Sequence, residues 1–283
     1  MIDFKGKVAL VTGGGRGLGQ GTCVELASRG AMVAVADRKP EIAEETVALC
    51  NTAAMNDKGA KAFVFDQAKG ESVEAMVAEV AAHYGQIDLL FANAGTGKFV
   101  PIVDMKKADW DFIMQVNLNG TFYVCQEVAK RMIARGKGGK MVLTASSGSK
   151  VIADQLGAYC ASKAAVEMLM KHMAVELGNY RINVNAILPG VVETGMTTPM
   201  LRDERWRRML VRQTPVGRWG RPEDVAKLVT FLLSDDAGYI NGEGIMIDGG
   251  STLHGFPRWY SLDYTKQNEC NWESMFEQYP YKE

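Results

Sequence analysis

At 283 residues, with 47% apolar and 23% charged side chains, the chain has the size and make-up of one large α/β domain. Its formal net charge of −1 points away from nucleic acid and from anionic membranes as partners. Five cysteines without CxxC spacing (Cys23, Cys50, Cys125, Cys160, Cys270) suit free thiols in the cytoplasm, and three isolated histidines (His83, His172, His254) argue against a zinc centre.

The chain opens on 1–7 without a signal-peptide layout, and no apolar stretch approaches the roughly 20 residues that span a bilayer. Short β-branched runs at 8–12, 32–36, 62–65, 89–92, 141–144, 182–187 and 244–247 read as strands. Amphipathic stretches at 20–28, 41–54, 71–83, 110–135, 158–177 and 222–233 read as helices. The strands are continuous apolar runs, as expected of strands buried on both faces. The alternation predicts an α/β fold: a single doubly wound, Rossmann-like domain with a parallel seven-stranded sheet and helices on both faces.

Directly after the first strand, Thr12-Gly13-Gly14-Gly15-Arg16-Gly17-Leu18-Gly19 leads into a helix with G-x-x-x-G-x-G spacing. Glycines there permit a tight turn and let backbone N–H groups approach a pyrophosphate at a helix N-terminus. Asp37 ends the second strand, where a carboxylate can accept hydrogen bonds from ribose hydroxyls and repel a 2′-phosphate. That predicts NAD over NADP, although Arg16 and Arg38 are each able to pair with a 2′-phosphate.

Further along, Tyr159 and Lys163 stand four apart on one helix face, where an ammonium can lower a phenol's pKa. Ser146 lies thirteen positions before the tyrosine and can polarise a carbonyl beside the pair. Ser147 is its adjacent rival, and the spacing favours Ser146.

Taken together and in order, these motifs resemble the short-chain dehydrogenase/reductase family, standard-length branch, over about residues 5–250. Thr12–Gly19 is similar to its TGxxxGxG loop, Asp66 to the acidic residue at the adenine ring, and Asn93-Ala94-Gly95 to its NAG motif. Asn117 resembles the asparagine of a catalytic tetrad, Pro189-Gly190 with Thr194 the element holding the nicotinamide carboxamide, and Asp248-Gly249-Gly250 the closing turn. The resemblance implies catalytic roles for Asn117, Ser146, Tyr159 and Lys163. It implies a cofactor site of Gly13, Arg16, Gly17, Leu18, Gly19, Asp37, Arg38, Asp66, Gln67, Asn93, Ala94, Gly95, Tyr159, Lys163, Pro189, Gly190, Val192 and Thr194, with no metal. Tyr159 would exchange the hydroxyl proton, Lys163 stabilise the phenolate and bind the nicotinamide ribose, Ser146 orient the substrate oxygen, and Asn117 anchor a water chain.

By the same resemblance the substrate pocket draws on Thr96, Lys98, Phe99, Lys150, Val151, Ile152, Gln155 and Leu156, and on a flap at about 190–218. Met196, Met200, Leu201, Trp206, Met209 and Leu210 in that flap suit a bulky apolar substrate or simply pack its helices. Flap arginines at 202, 205, 207, 208 and 212 read as a solvated face or as partners for a carboxylate or phosphate on the substrate, the solvated face being favoured. The expectation is an NAD-dependent oxidoreductase interconverting a small-molecule secondary alcohol and its ketone, leaning to a hydroxysteroid. Sugar or polyol dehydrogenase and 3-oxoacyl carrier reductase are the alternatives, and a non-catalytic cofactor sensor is the alternative of another class. A homo-oligomer is expected, tetrameric through the helices carrying Asn117 and Tyr159.

Beyond Gly250 follow 33 residues holding eight of the chain's 24 aromatics: Phe256, Trp259, Tyr260, Tyr264, Trp272, Phe276, Tyr279 and Tyr281. Such richness predicts that the extension at 251–283 packs on the domain or on a neighbouring subunit, as a lid over the substrate entrance or as a stabilising wrap.

Overall fold

Among residues 2–54 and 59–253, which a computed structural model describes, the seven apolar runs become seven parallel strands. They are β1 (Val8–Thr12), β2 (Met32–Asp37), β3 (Ala60–Val64), β4 (Leu89–Ala92), β5 (Gly139–Thr144), β6 (Ile182–Pro189) and β7 (Gly244–Ile247). Their order in the sheet is β3-β2-β1-β4-β5-β6-β7. The eight extension aromatics, with His254 and Cys270, lie outside the described residues.

Side chains alternate between the sheet's faces, and both faces are covered. Leu10, Ala34, Phe63, Leu90 and Leu143 join one core with α3 (Gly70–Tyr84), α5 (Gly120–Arg135) and α6 (Gly157–Gly178). Ala9, Val11, Val33, Phe91 and Val142 join the other with α1 (Gly17–Ser28), α2 (Pro40–Ala54) and α9 (Pro222–Leu233). A strand buried on both sides has no place for alternating polarity, hence the continuous apolar runs. The third strand begins two residues earlier than its apolar run, at Ala60.

The stretch 110–135, expected as one helix, is interrupted. It comprises α4 (Lys107–Met114), a π-helical turn over Gln115–Asn119, and then α5. Where the turn meets α5, a side chain on Gly120 would overlap the Gln67 carbonyl, and the Thr121 hydroxyl donates to the Asn117 carbonyl at 2.7 Å. The turn therefore closes tightly against the loop after β3, and Asn117 points inward, fully buried. The flap contains two short helices, α7 (Thr198–Arg202) and α8 (Glu204–Gln213).

Sheet order reverses between β1 and β4. There the connections leave on opposite faces and open a crevice beyond the strands' carboxyl ends. Thr12, Asp37, Ala92, Thr144 and Pro189 are the last residues of β1, β2, β4, β5 and β6, and the glycine loop, Asp37, the Asn93 turn, Ser146 and the Pro189-Gly190 element stand at or just past these ends.

Candidate active site

The crevice is a cavity of about 370 Å³ running from the tip of β2 to the start of α6. Its β1 wall is a loop built on close backbone approach. Gly13 has φ +63°, and a side chain on Gly19 would overlap the Gly13 carbonyl. The Thr12 hydroxyl accepts from the backbone N–H groups of Asn93 (3.0 Å) and Ala94 (3.2 Å). The Asn93 amide donates back to the Thr12 and Gly13 carbonyls at 3.2 and 3.3 Å. A loop without side chains, locked to the end of β4 and opening the N-terminus of α1, is a cradle suited to a pyrophosphate, so the residues present fit a dinucleotide.

Asp37 lies at the β2 end, where its carboxylate accepts from Gly15 N–H at 3.1 Å and Lys39 N–H at 3.2 Å. Arg16 and Arg38 also line the cavity, but the Arg16 guanidinium lies toward the flap, where a methyl on Gly195 would be 3.3 Å from its terminal nitrogen. Asp66 accepts from Ala68 N–H at 3.1 Å. The Gln67 amide donates to the carbonyls of Ala94 and Val116, both at 3.0 Å, tying the β3 loop to the NAG turn and to the π turn.

At the other end stand Ser146, Tyr159 and Lys163. Ser146 follows β5 in an extended conformation and begins a 3₁₀ turn over Ser147–Ser149, with its hydroxyl accepting from Gly148 N–H at 3.1 Å. It lines the cavity and Ser147 does not. Lys163 is 3% exposed and donates to the Thr144 carbonyl at 2.7 Å; burial brings its pKa down to about 8. Its ammonium stands 5.7 Å from the centre of the Tyr159 ring. Burial pushes the Tyr159 phenol upward, with the Ser146 hydroxyl pulling it down and Cys160 adding a smaller upward push. The i, i+4 spacing predicts a phenol lowered by its lysine, and the structure shows desolvation winning instead.

Asn117 approaches this group from below. It accepts from Thr96 N–H and donates to the Thr96 carbonyl, both at 2.8 Å, and donates to the Ser162 hydroxyl at 3.0 Å. A methyl on Gly95 would lie 3.3 Å from both the Asn117 carbonyl oxygen and the Lys163 nitrogen, so Gly95 is what lets the two approach.

Of the eighteen residues expected around the cofactor, Gly19 alone is absent from the cavity wall, packed beneath Gly13. Pro189, Gly190, Val192 and Thr194 form the wall beyond β6. Thr197, missed by sequence reasoning, organises it: its hydroxyl accepts from Thr194 N–H at 2.9 Å and donates to the Val192 carbonyl at 2.5 Å. Its spacing from Thr194 was the available signal, because a threonine three residues on can close such a turn. Ile42 and Phe65, also on the wall, carry no motif.

The substrate segments are only partly brought together. Thr96 and Met196 line the cavity, but Lys98, Phe99, Lys150 and Ile152 do not. Leu201 and Leu210 are buried within the flap, whereas Trp206 and Met209 are exposed outside the cavity. Among the described residues no group of three or more His, Cys, Asp or Glu could hold a metal, and no helix is long and apolar enough to cross a membrane.

Residues 13–252 match the family model described as enoyl-(acyl carrier protein) reductase. The chain is 40% identical over 255 residues to a D-threitol dehydrogenase of Mycolicibacterium smegmatis, covering 89% of this chain and 96% of that protein. It is 37% identical over 252 residues to an NAD-dependent glycerol dehydrogenase of Listeria innocua, with the same coverage, 89% and 96%. A gluconate 5-dehydrogenase from Burkholderia cenocepacia, solved with NADP and tartrate, superposes with a TM-score of 0.84 at 35% identity, over 89% of this chain and 97% of that one. With its crevice, glycine loop and serine–tyrosine–lysine group, the chain belongs to the short-chain dehydrogenase/reductase family, whose NAD(P)-linked chemistry interconverts alcohols and carbonyls.

Proposed function

We propose that this enzyme is an NAD-dependent dehydrogenase of a neutral polyol. The observation that carries the substrate class is the distribution of charge around the cavity. Among the described residues that line it, the cations are Arg16 on the flap side, Arg38 and Lys39 beside Asp37, and Lys163 at the reaction centre. Lys98 and Lys150, the other cations expected near the substrate, are engaged by Asp109 and Glu167, each at 2.6 Å. Among the described residues, a sugar acid would have Arg16 as the one lining cation on the substrate side besides the buried Lys163, whereas a polyol needs only hydrogen-bonding groups such as Thr96 and Ser146. The D-threitol and glycerol dehydrogenases among its relatives support the same class. The hydroxysteroid expectation rested on the flap's methionines and tryptophan. Only Met196 of these lines the cavity, and it is not carried forward.

When bound, the nicotinamide supplies the hydride acceptor or donor. On the protein side, Ser146 orients the substrate hydroxyl and Tyr159 takes its proton in oxidation or returns it in reduction. Lys163 stabilises the phenolate and exchanges the proton with a water chain leading to solvent, anchored by Asn117, whose contacts with Thr96 and Ser162 keep that corner rigid. The Asp37 carboxylate at the β2 tip supports NAD over NADP, with Arg16 turned toward the flap. A homo-oligomer paired through α5 and α6 would cover the exposed Phe122, Met168 and Val175.

The test is a panel of neutral polyols, sugar acids, cyclic diols and steroids assayed with NAD and NADP by nicotinamide absorbance. Highest kcat/KM on a neutral polyol with NAD is expected. Preference for a sugar acid would reject the substrate class, and preference for NADP would reject the cofactor.

A further inference from the structure

Among the described residues two buried carboxylates, Asp88 and Glu167, lie outside the cavity and outside every family motif, and Glu167 stands on the helix of Tyr159 and Lys163. Glu167 follows Lys163 by one helical turn on the same face of α6 and is 5% exposed. Its carboxylate accepts from the Ser149 hydroxyl at 2.9 Å and from Lys150 at 2.6 Å, with Lys171 at 3.3 Å. Gly244 of β7 leaves it room, since a methyl there would stand 3.3 Å from a carboxylate oxygen. Burial pushes the acid upward, but Lys150, Ser149 and Lys171 outweigh burial and keep it ionised.

The groups Glu167 holds are the end of the turn that begins at Ser146. Ser149 N–H donates to the Ser146 carbonyl at 2.9 Å, and the Ser149 hydroxyl stands between that carbonyl, at 2.7 Å, and Glu167, sharing its one proton between them. Gly148 N–H in the same turn donates to the Ser146 hydroxyl itself. The 3₁₀ turn is three residues long and packs on Cys160 of α6 through Gly148, and among its described contacts this carboxylate is its charged attachment to that helix.

We propose that Glu167 is a positioning residue that fixes the Ser146 hydroxyl against Tyr159 by clamping Ser149 and Lys150 to α6. The proposal rests on the reading of Ser146 as the group that orients the substrate. It also explains why Lys150 does not reach a substrate.

The experiment uses the full-length enzyme in a Cys270→Ser background. Glu167→Ala is expected to lower kcat about tenfold, the scale of a small misplacement of a reacting group, while the NAD dissociation constant stays within twofold. Ser149→Ala is expected to act in the same direction, and the double variant to be no worse than Glu167→Ala, because both break one clamp. Glu167→Gln keeps a carbonyl acceptor for Ser149 while the half-exposed lysines turn to solvent, so it recovers most of the loss.

A readout independent of turnover is the thiol of Cys160, half-buried against the turn, where a methyl on Gly148 would be 2.9 Å from its sulfur. Cys23, Cys50 and Cys125 are fully buried. Labelling of Cys160 by a disulfide reagent, well below each melting temperature, should quicken several-fold in Glu167→Ala. Additive losses of kcat, a lowered Tm with kcat within twofold, or an unchanged labelling rate would each overturn the proposal. Should Ser146→Ala leave kcat unaltered, the reading of Ser146 fails instead, and that result is separate from the others.

Discussion

Replacing Asp37 by asparagine isolates charge from shape at the β2 tip. The carboxylate holds two backbone N–H groups, Gly15 at 3.1 Å and Lys39 at 3.2 Å. Asparagine keeps one acceptor and presents an amide to the other donor, so a stability cost of about 1–3 kcal/mol follows from the unpaired N–H. The cofactor effect is larger. A 2′-phosphate seated about 5 Å from the carboxylate meets a repulsion of about 3 kcal/mol per charge at an effective dielectric constant of 20, and less than 1 kcal/mol in bulk water. At a partly exposed crevice an intermediate value near 3 kcal/mol for the whole phosphate corresponds to about a hundredfold discrimination. Asp37→Asn should therefore raise kcat/KM with NADP while lowering it with NAD, moving the NAD:NADP ratio by about a hundredfold. Initial rates with both cofactors on one substrate measure this, with the melting temperature as the control for the lost backbone bond. A ratio that moves less than threefold, in a variant that still folds, would refute the assignment and leave Arg38 and Lys39 as the discriminating groups.

Other consequences are more direct. Lys163 has its pKa lowered from 10.5 to about 8, so below pH 8 it is charged in both folded and unfolded chains and carries the full cost of burial. Between about pH 8 and 10.5 only the unfolded chain binds the proton, so stability from this group rises with pH, by up to about 3 kcal/mol. Denaturant midpoints of Lys163→Met should thus show wild type gaining on the variant across that window, and parallel curves would contradict the shift. Gly19→Ala forces a side chain into the Gly13 carbonyl, and cofactor binding followed by nicotinamide fluorescence should weaken at least tenfold. Gly95→Ala wedges a methyl 3.3 Å from both Asn117 and Lys163, so kcat should fall about tenfold in both directions while NAD affinity falls less; retained kcat would exclude a relay at this corner.

Where a residue's task is set by its own strand or turn, it was legible in the chain. The seven strands were visible because each is apolar on both faces. The glycine loop, Asp37, Asn93 and Pro189 were visible because each stands at a strand end, at fixed spacing from its neighbours. What stayed hidden depends on contacts distant in sequence. The π turn over Gln115–Asn119 preserves helical periodicity on either side, and only the approach of Gln67 to Gly120 reveals it. The direction of the Tyr159 shift depends on how much water the fold excludes, which helix spacing does not encode. Trp206 and Met209 belong to a flap helix whose buried residue is Leu210, so an apolar stripe in sequence pointed away from the cavity in space.

Burial moves the two central groups in opposite directions, Lys163 downward to about 8 and Tyr159 upward from its ordinary value, and each shift favours the uncharged form. Desolvation thus sets the direction of both shifts and penalises the charged form of each group in this pocket. Within the described residues the group that pulls the phenol down is Ser146. On the proposed reading of the site the serine would have two tasks, orienting the substrate oxygen and easing ionisation of Tyr159, and displacement of its hydroxyl would weaken both at once. That hydroxyl sits on a three-residue turn held by its own hydrogen bonds and by packing on Cys160. The carboxylate of Glu167, nearly excluded from solvent, adds a charged attachment between that turn and the helix that carries Tyr159 and Lys163.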